Sequence, residues 1–214
     1  MPKKLVYLFG PDGAGKSTLG RGIASCVPNS LTLHGSNPAS WPDTSWHREA
    51  VLAGIDPATK DPRYHLETLG RCYAMIGGLL RAENPPPLII DSDPRAQIAV
   101  KACTLYGHPV PLPDFHTQLD ALALPHIEEV EQVGVHVTVG RGTPEERAET
   151  LARRIANRGD ASPFDPASLD QARDLVLAFD ALEILIAGRG APLVRIETDR
   201  PIDHAMLSAQ ILEQ

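Results

Sequence analysis

Residues 8–24 read LFGPDGAGKSTLGRGIA, in which the segment Gly10–Thr18 sets three glycines, a lysine and two hydroxyl residues between an apolar run and a helical pattern. Gly10-Pro11-Asp12-Gly13-Ala14-Gly15-Lys16-Ser17 fits the spacing G-x-x-x-x-G-K-[ST] of a phosphate-binding loop. It stands where that chemistry requires, after an apolar strand at Leu5–Phe9 and opening a helix at Lys16. Glycines let successive backbone N–H groups curl around phosphates, and the N-terminus of the following helix adds a favourable dipole. Gly10, Gly13, Ala14, Gly15, Lys16, Ser17 and Thr18 are therefore the candidate contacts to a bound nucleotide's phosphates. Lys16 would bridge the outer phosphates and the Ser17 hydroxyl would ligate Mg²⁺.

Beyond the loop, short apolar runs alternate with helical patterns. KLVYLF, SLTLH, PLIID, VHVTV and PLVRIE read as strands, and helices begin near Lys16, His65, Arg95, Pro144, Ser168 and Ile202. Such alternation predicts a parallel sheet covered on both faces. Prolines 85–87 end one helix and set up a buried strand at Leu88–Asp91. Residues 34–63 hold both tryptophans, Trp41 and Trp46, without a clear period, and are expected to form an irregular flap. The 214 residues suit one domain, and the net charge of −7 argues against a partner that is a nucleic-acid polymer. Cys26, Cys72 and Cys103 show no metal-ligand spacing and read as buried free thiols. With no signal segment or membrane-length apolar run, a cytoplasmic location is expected.

Two further segments carry chemistry. PLIID ends an apolar strand in a carboxylate, which places Asp91 at the carboxyl edge of the sheet beside the loop. There it is a candidate to hold Mg²⁺, directly or through water, or to orient an acceptor hydroxyl, with Asp93 as a second candidate. The other segment is TPEERAETLARRIANRGD, from Thr143 to Asp160. It opens with a hydroxyl cap, an early proline and two acids in the first turn. At 100° per residue, Arg147, Arg154 and Arg158 fall within a stripe about 40° wide. None has an acid four residues before it, whereas Arg153 shares its side with Glu149 and Glu146. Such a stripe is accounted for if an anion completes it, and a solvated helix face is the competing reading.

At the loop GPDGAGKST and the helix PEERAETLARRIANRG the chain resembles the thymidylate kinase branch of the P-loop nucleoside monophosphate kinases. The resemblance covers nearly the whole chain. It implies a single P-loop kinase domain over 1–214, with a five-stranded parallel sheet in order 2-3-1-4-5, the flap on the acceptor side and an Arg-rich lid at 143–165. It also implies transfer of the ATP γ-phosphoryl group, with Mg²⁺, to a nucleoside monophosphate or related small phosphorylated acceptor, and a possible homodimer. Asp12 would bind the acceptor hydroxyl, Arg71 would grip the acceptor phosphate, and Arg154 and Arg158 would join Lys16 and Asp91 in catalysis. Gly13 stands where some members of that branch carry an arginine, so the lid stripe would supply that charge. Ser92 replaces the arginine that usually follows the strand-ending acid, which leaves Arg95, one turn on, as a candidate for the same phosphate. Glu67 stands where an aromatic stacks on thymine, so thymidylate itself is not the expected acceptor, and Glu67 is a candidate acceptor contact to an amino-bearing base or to a group that is not a base. A noncatalytic nucleotide-binding module and a kinase for a non-nucleotide hydroxyl stay open. A small GTPase is disfavoured because no N/T-K-x-D motif occurs.

Overall fold

The computed structural model describes residues 4–34, 62–159 and 165–213, and the side chains of 62–65, 67 and 68 lie outside that description. The flap containing Trp41 and Trp46 falls almost wholly outside the described residues, as do residues 160–164 of the lid. Five strands are seen: β1 (Lys4–Phe9), β2 (Leu31–Leu33), β3 (Leu88–Ile90), β4 (Glu131–Thr138) and β5 (Leu193–Glu197). They form one sheet in the order β2-β3-β1-β4-β5, and every pairing is parallel. The expected topology is therefore observed.

Seven helices cover it among the described residues: α1 (Lys16–Cys26), α2 (Pro62–Leu80), α3 (Pro94–Leu105), α4 (Leu112–Ile127), α5 (Pro144–Arg158), α6 (Leu169–Gly188) and α7 (His204–Glu213). β1 shows why the sheet is sealed on both sides. Leu5, Tyr7 and Phe9 face α2, α3, α4 and α6, while Val6 and Leu8 face α1, α5 and α7. Each large side chain so buried contributes on the order of 1.5–3 kcal/mol, which ties both helical layers to one strand. No helix of the described residues is long and apolar enough to cross a membrane.

Helix α4 was not expected from the sequence pattern, because Pro111 and Pro113 flank its start and Pro125 sits in its last turn. Its buried stripe is nonetheless regular, with Phe115, Leu119, Ala123 and Ile127 each four residues apart. The ends of α3 and α5 follow local rules. Asp93 caps α3 by accepting from Arg95 N, with Pro94 in the first turn. Thr143 and Glu146 form a reciprocal capping box on α5, and Gly159 closes that helix in the left-handed region. The cysteine expectation needs one correction. Cys72 is buried and its thiol is pushed up to about 12 by burial, Cys103 is half-buried, but Cys26 is exposed at the end of α1.

Candidate active site

The loop between β1 and α1 is pressed onto the neighbouring strand. Gly10 has φ +142°, and a Cβ there would lie 2.1 Å from the Val137 carbonyl oxygen of β4, so only glycine fits. Two donors hold its carbonyl: Gln97 Nε2 of α3 at 2.8 Å and Lys16 Nζ at 2.8 Å. Lys16 also donates to the Pro11 carbonyl at 3.0 Å and to Asp12 Oδ1 at 3.3 Å. The other Asp12 oxygen lies 2.7 Å from Lys101 Nζ of α3. Burial works to raise the Asp12 carboxyl, but the two lysines outweigh it and hold it well below the ordinary carboxylate range. Burial in turn draws the Lys16 amine down from its usual value, against the pull of Asp12.

Asp91 follows β3 and is buried beside α1, where a Cβ on Gly20 would come within 3.0 Å of its own Cβ. Its carboxylate meets His34 Nδ1 at 2.5 Å. Sheet register explains that pair: Leu33 of β2 lies opposite Ile90 of β3, so the next residue on each chain emerges side by side at the carboxyl edge. The loop, Asp12 and Asp91 thus share one edge of the sheet, as the sequence leads one to expect. Ser17 and Thr18 open α1 there, half-buried and exposed respectively. Gly13 and Ala14 complete the turn under α5, and Gly15 caps α1 with φ +98°.

The arginine stripe finds its partners within the protein. Arg147 is buried and forms a two-pronged ion pair with Asp180 of α6, which fixes the start of α5 and keeps this arginine out of the edge site. Arg154 donates through Nη1 to Thr198 Oγ1 at 2.7 Å and through Nη2 to the Thr198 carbonyl at 3.0 Å. Thr198 Oγ1 donates in turn to the Ala14 carbonyl at 2.7 Å, so Arg154 is one residue removed from the loop itself. Arg158 pairs with Asp165 at 2.8 Å on the far end of the helix, and Arg153 is exposed.

Arg95 requires a correction. Instead of reaching toward an acceptor phosphate it is 4% exposed, packed over the rings of Tyr7 and Tyr73 and bonded to Asp93 and Asp120. Its charge is spent in the core. Asp93 is likewise committed, accepting from Tyr73 Oη at 2.6 Å. Arg71 lies exposed on α2, and Glu67 lies on the same helix with its side chain outside the described residues. Sequence reasoning missed Lys101, Gln97, Thr198 and the role of His34. Of these, only His34 carried a signal, its position at the end of a strand adjacent to that of Asp91.

The oxygen donors at this edge, a serine hydroxyl and an aspartate, are the hard ligands that Mg²⁺ prefers. No family model matches the chain, and no curated protein matches it. Among solved structures it is similar to deoxyadenosine kinase from M. mycoides. The form with bound dCTP superposes with a TM-score of 0.57 at 14% identity, over 98% of each chain. The form with bound dATP gives a TM-score of 0.59 at 15% identity, over 98% of this chain and 100% of that one. With its glycine loop, sheet order and helices on both faces, the chain has the fold of a P-loop kinase.

Proposed function

We propose that the protein is an ATP-dependent phosphotransferase of thymidylate kinase-like type, acting on a small nucleoside monophosphate or related phosphorylated acceptor. The observation that carries this reading is the placement of two carboxylates, Asp12 and Asp91, on the same sheet edge as the phosphate loop and its buried Lys16. Phosphoryl transfer is mainly positioning and charge neutralisation. The loop's N–H groups and Lys16 would hold the donor phosphates, and Arg154, tethered beside Ala14, would meet charge developing on the transferred group. Asp12 would orient the acceptor through a hydroxyl, with Arg71 as the candidate for the acceptor phosphate that supplies the nucleophilic oxygen. Bound through Ser17 and Asp91, Mg²⁺ would supply neutralisation of the phosphate charge.

A second acceptor class is favoured by a specific finding. Burial of Arg95 removes one of the two cations assigned to an acceptor phosphate, and the two solved structures of similar fold described above are both of a deoxyadenosine kinase. An unphosphorylated nucleoside is therefore the alternative. The deciding measurement is acceptor-dependent ADP release from ATP·Mg²⁺ across a panel of nucleosides and their monophosphates. Turnover with a monophosphate other than thymidylate supports the first reading, and turnover confined to nucleosides the second. Release with no member of the panel, alongside tight ATP binding, would leave a nucleotide-binding module instead.

A further inference from the structure

A lysine ammonium has three protons to donate, and the protein takes all three from Lys16. They go to the Gly10 carbonyl at 2.8 Å, the Pro11 carbonyl at 3.0 Å and Asp12 Oδ1 at 3.3 Å. Phosphates that recruit this lysine must take it from some of these partners. Gly10 and Pro11 are buried, and a buried carbonyl that loses its donor without a replacement is costly.

Each of the three partners is held by a second donor. The Pro11 carbonyl accepts from the Ala14 N–H at 3.2 Å, within the loop's own turn. The Asp12 carboxylate has Lys101 Nζ at 2.7 Å, and the Gly10 carbonyl accepts from Gln97 Nε2 at 2.8 Å. Gln97 and Lys101 are four residues apart on α3, so both belong to the face of that helix that meets the loop. For packing alone, Gln97 is a poor choice. It is 5% exposed, and its Oε1 has no hydrogen-bond partner among the described residues. Burying an amide with its oxygen unmet costs stability that an apolar side chain would not. What Gln97 adds is the bond to Gly10. That bond is redundant while Lys16 stays on the same carbonyl, and it is the one that remains when Lys16 leaves.

We propose that Gln97 is a positioning residue for ATP binding: it keeps the Gly10 carbonyl bonded, so Lys16 can turn to the donor phosphates without leaving a buried acceptor unmet. The proposal rests on the reading of the loop as an ATP site and is independent of the acceptor.

Titration of the whole protein with ATP·Mg²⁺ and no acceptor tests it, followed by the shifts of the protein's amide NMR resonances so that weak binding is measured as well as tight. Gln97→Met keeps the side-chain length and removes the donor. The free variant retains Lys16 on Gly10 and should fold, but its ATP affinity should drop roughly tenfold. Gln97→Glu, which sets a carboxylate against the Gly10 carbonyl, should lose at least as much. In a Lys16→Ala background no lysine moves, and the Gly10 carbonyl has the same partners with and without nucleotide. There Gln97→Met should change ATP affinity by less than about twofold, closing a double-mutant cycle on the pair. A glutamine that merely shapes the loop would lower affinity equally in both backgrounds. Equal losses in the two backgrounds, or wild-type affinity in either Gln97→Met or Gln97→Glu, would overturn the proposal alone. No ATP binding by the unaltered protein would overturn it together with the reading of the loop.

Discussion

Arg154→Ala separates an anchoring arginine from a catalytic one. The side chain is half-buried and makes two bonds to Thr198, at 2.7 and 3.0 Å, each from a charged donor to a neutral oxygen. Discounted for partial exposure, their loss should lower unfolding free energy by about 1–2 kcal/mol. If Arg154 also meets the transferred group, kcat should fall by roughly a hundredfold or more, equivalent to about 2.7 kcal/mol at the transition state, with ATP affinity little changed. Thr198→Val is the matched partner. It removes the hydroxyl that accepts from Arg154 and donates toward the Ala14 carbonyl, yet leaves the arginine charge in place. Its stability loss should be of similar size, while kcat should fall by less than about tenfold. Arg153→Ala, on the exposed side of α5, should change neither by much. Urea unfolding followed by circular dichroism gives the first quantity, and acceptor-dependent ADP release gives the second. Equal kcat losses for Arg154→Ala and Thr198→Val would show that Arg154 acts only as a tether.

Lys16→Ala should abolish ADP release yet fold normally, because the Gly10 carbonyl keeps its bond from Gln97 at 2.8 Å; wild-type turnover in the purified variant would refute the lysine's role. Gly13→Ala should destabilise the protein by about 1–2 kcal/mol in urea unfolding, since φ is +84° and a Cβ would lie 3.0 Å from Ile155 Cγ1 of the lid helix. Asp180→Asn should cost about 2 kcal/mol near neutral pH, with a pH-dependent difference from wild type. Burial works to raise the Asp180 carboxyl, but Arg147 and Arg195 hold it below the ordinary value. The unfolded chain therefore binds the proton more readily, so this contribution is present above about pH 4 and is lost as pH falls through the lower folded value. Stability curves for wild type and Asp180→Asn that stay parallel down to pH 2 would contradict that assignment.

What the sequence disclosed was governed by locality. The loop at Gly10–Ser17 declares itself because its function needs glycine, lysine and serine at fixed spacing within one turn of chain. The strands read clearly because a sheet buried on both faces demands continuous apolar runs such as Leu5–Phe9 and Leu88–Ile90. The Thr143 capping box was readable for the same reason. Partners distant in sequence were not. The stripe of Arg147, Arg154 and Arg158 lacks acids one turn away, but Asp180, Thr198 and Asp165 reach them through the fold of the chain. Arg95 stands one turn beyond the strand-ending acid, a spacing that suggests reach toward a phosphate, and the carboxylates of buried Asp93 and half-buried Asp120 turn it inward instead. Helix α4 was hidden by its prolines, which act as breakers in the middle of a helix but are tolerated near its first turn.

The position of Asp12 between two lysines has a thermodynamic consequence on the proposed reaction. One of its oxygens is shared with Lys16, the residue expected to turn toward ATP, and the other rests on Lys101, which belongs to a different helix. When the donor's phosphates claim Lys16, Asp12 keeps one counter-charge and regains an oxygen able to accept a bond from the second substrate. Donor and acceptor affinities are then coupled through a single carboxylate. By reciprocity, whatever factor ATP adds to acceptor binding, the acceptor adds to ATP binding, and Asp12→Asn should shrink both factors together.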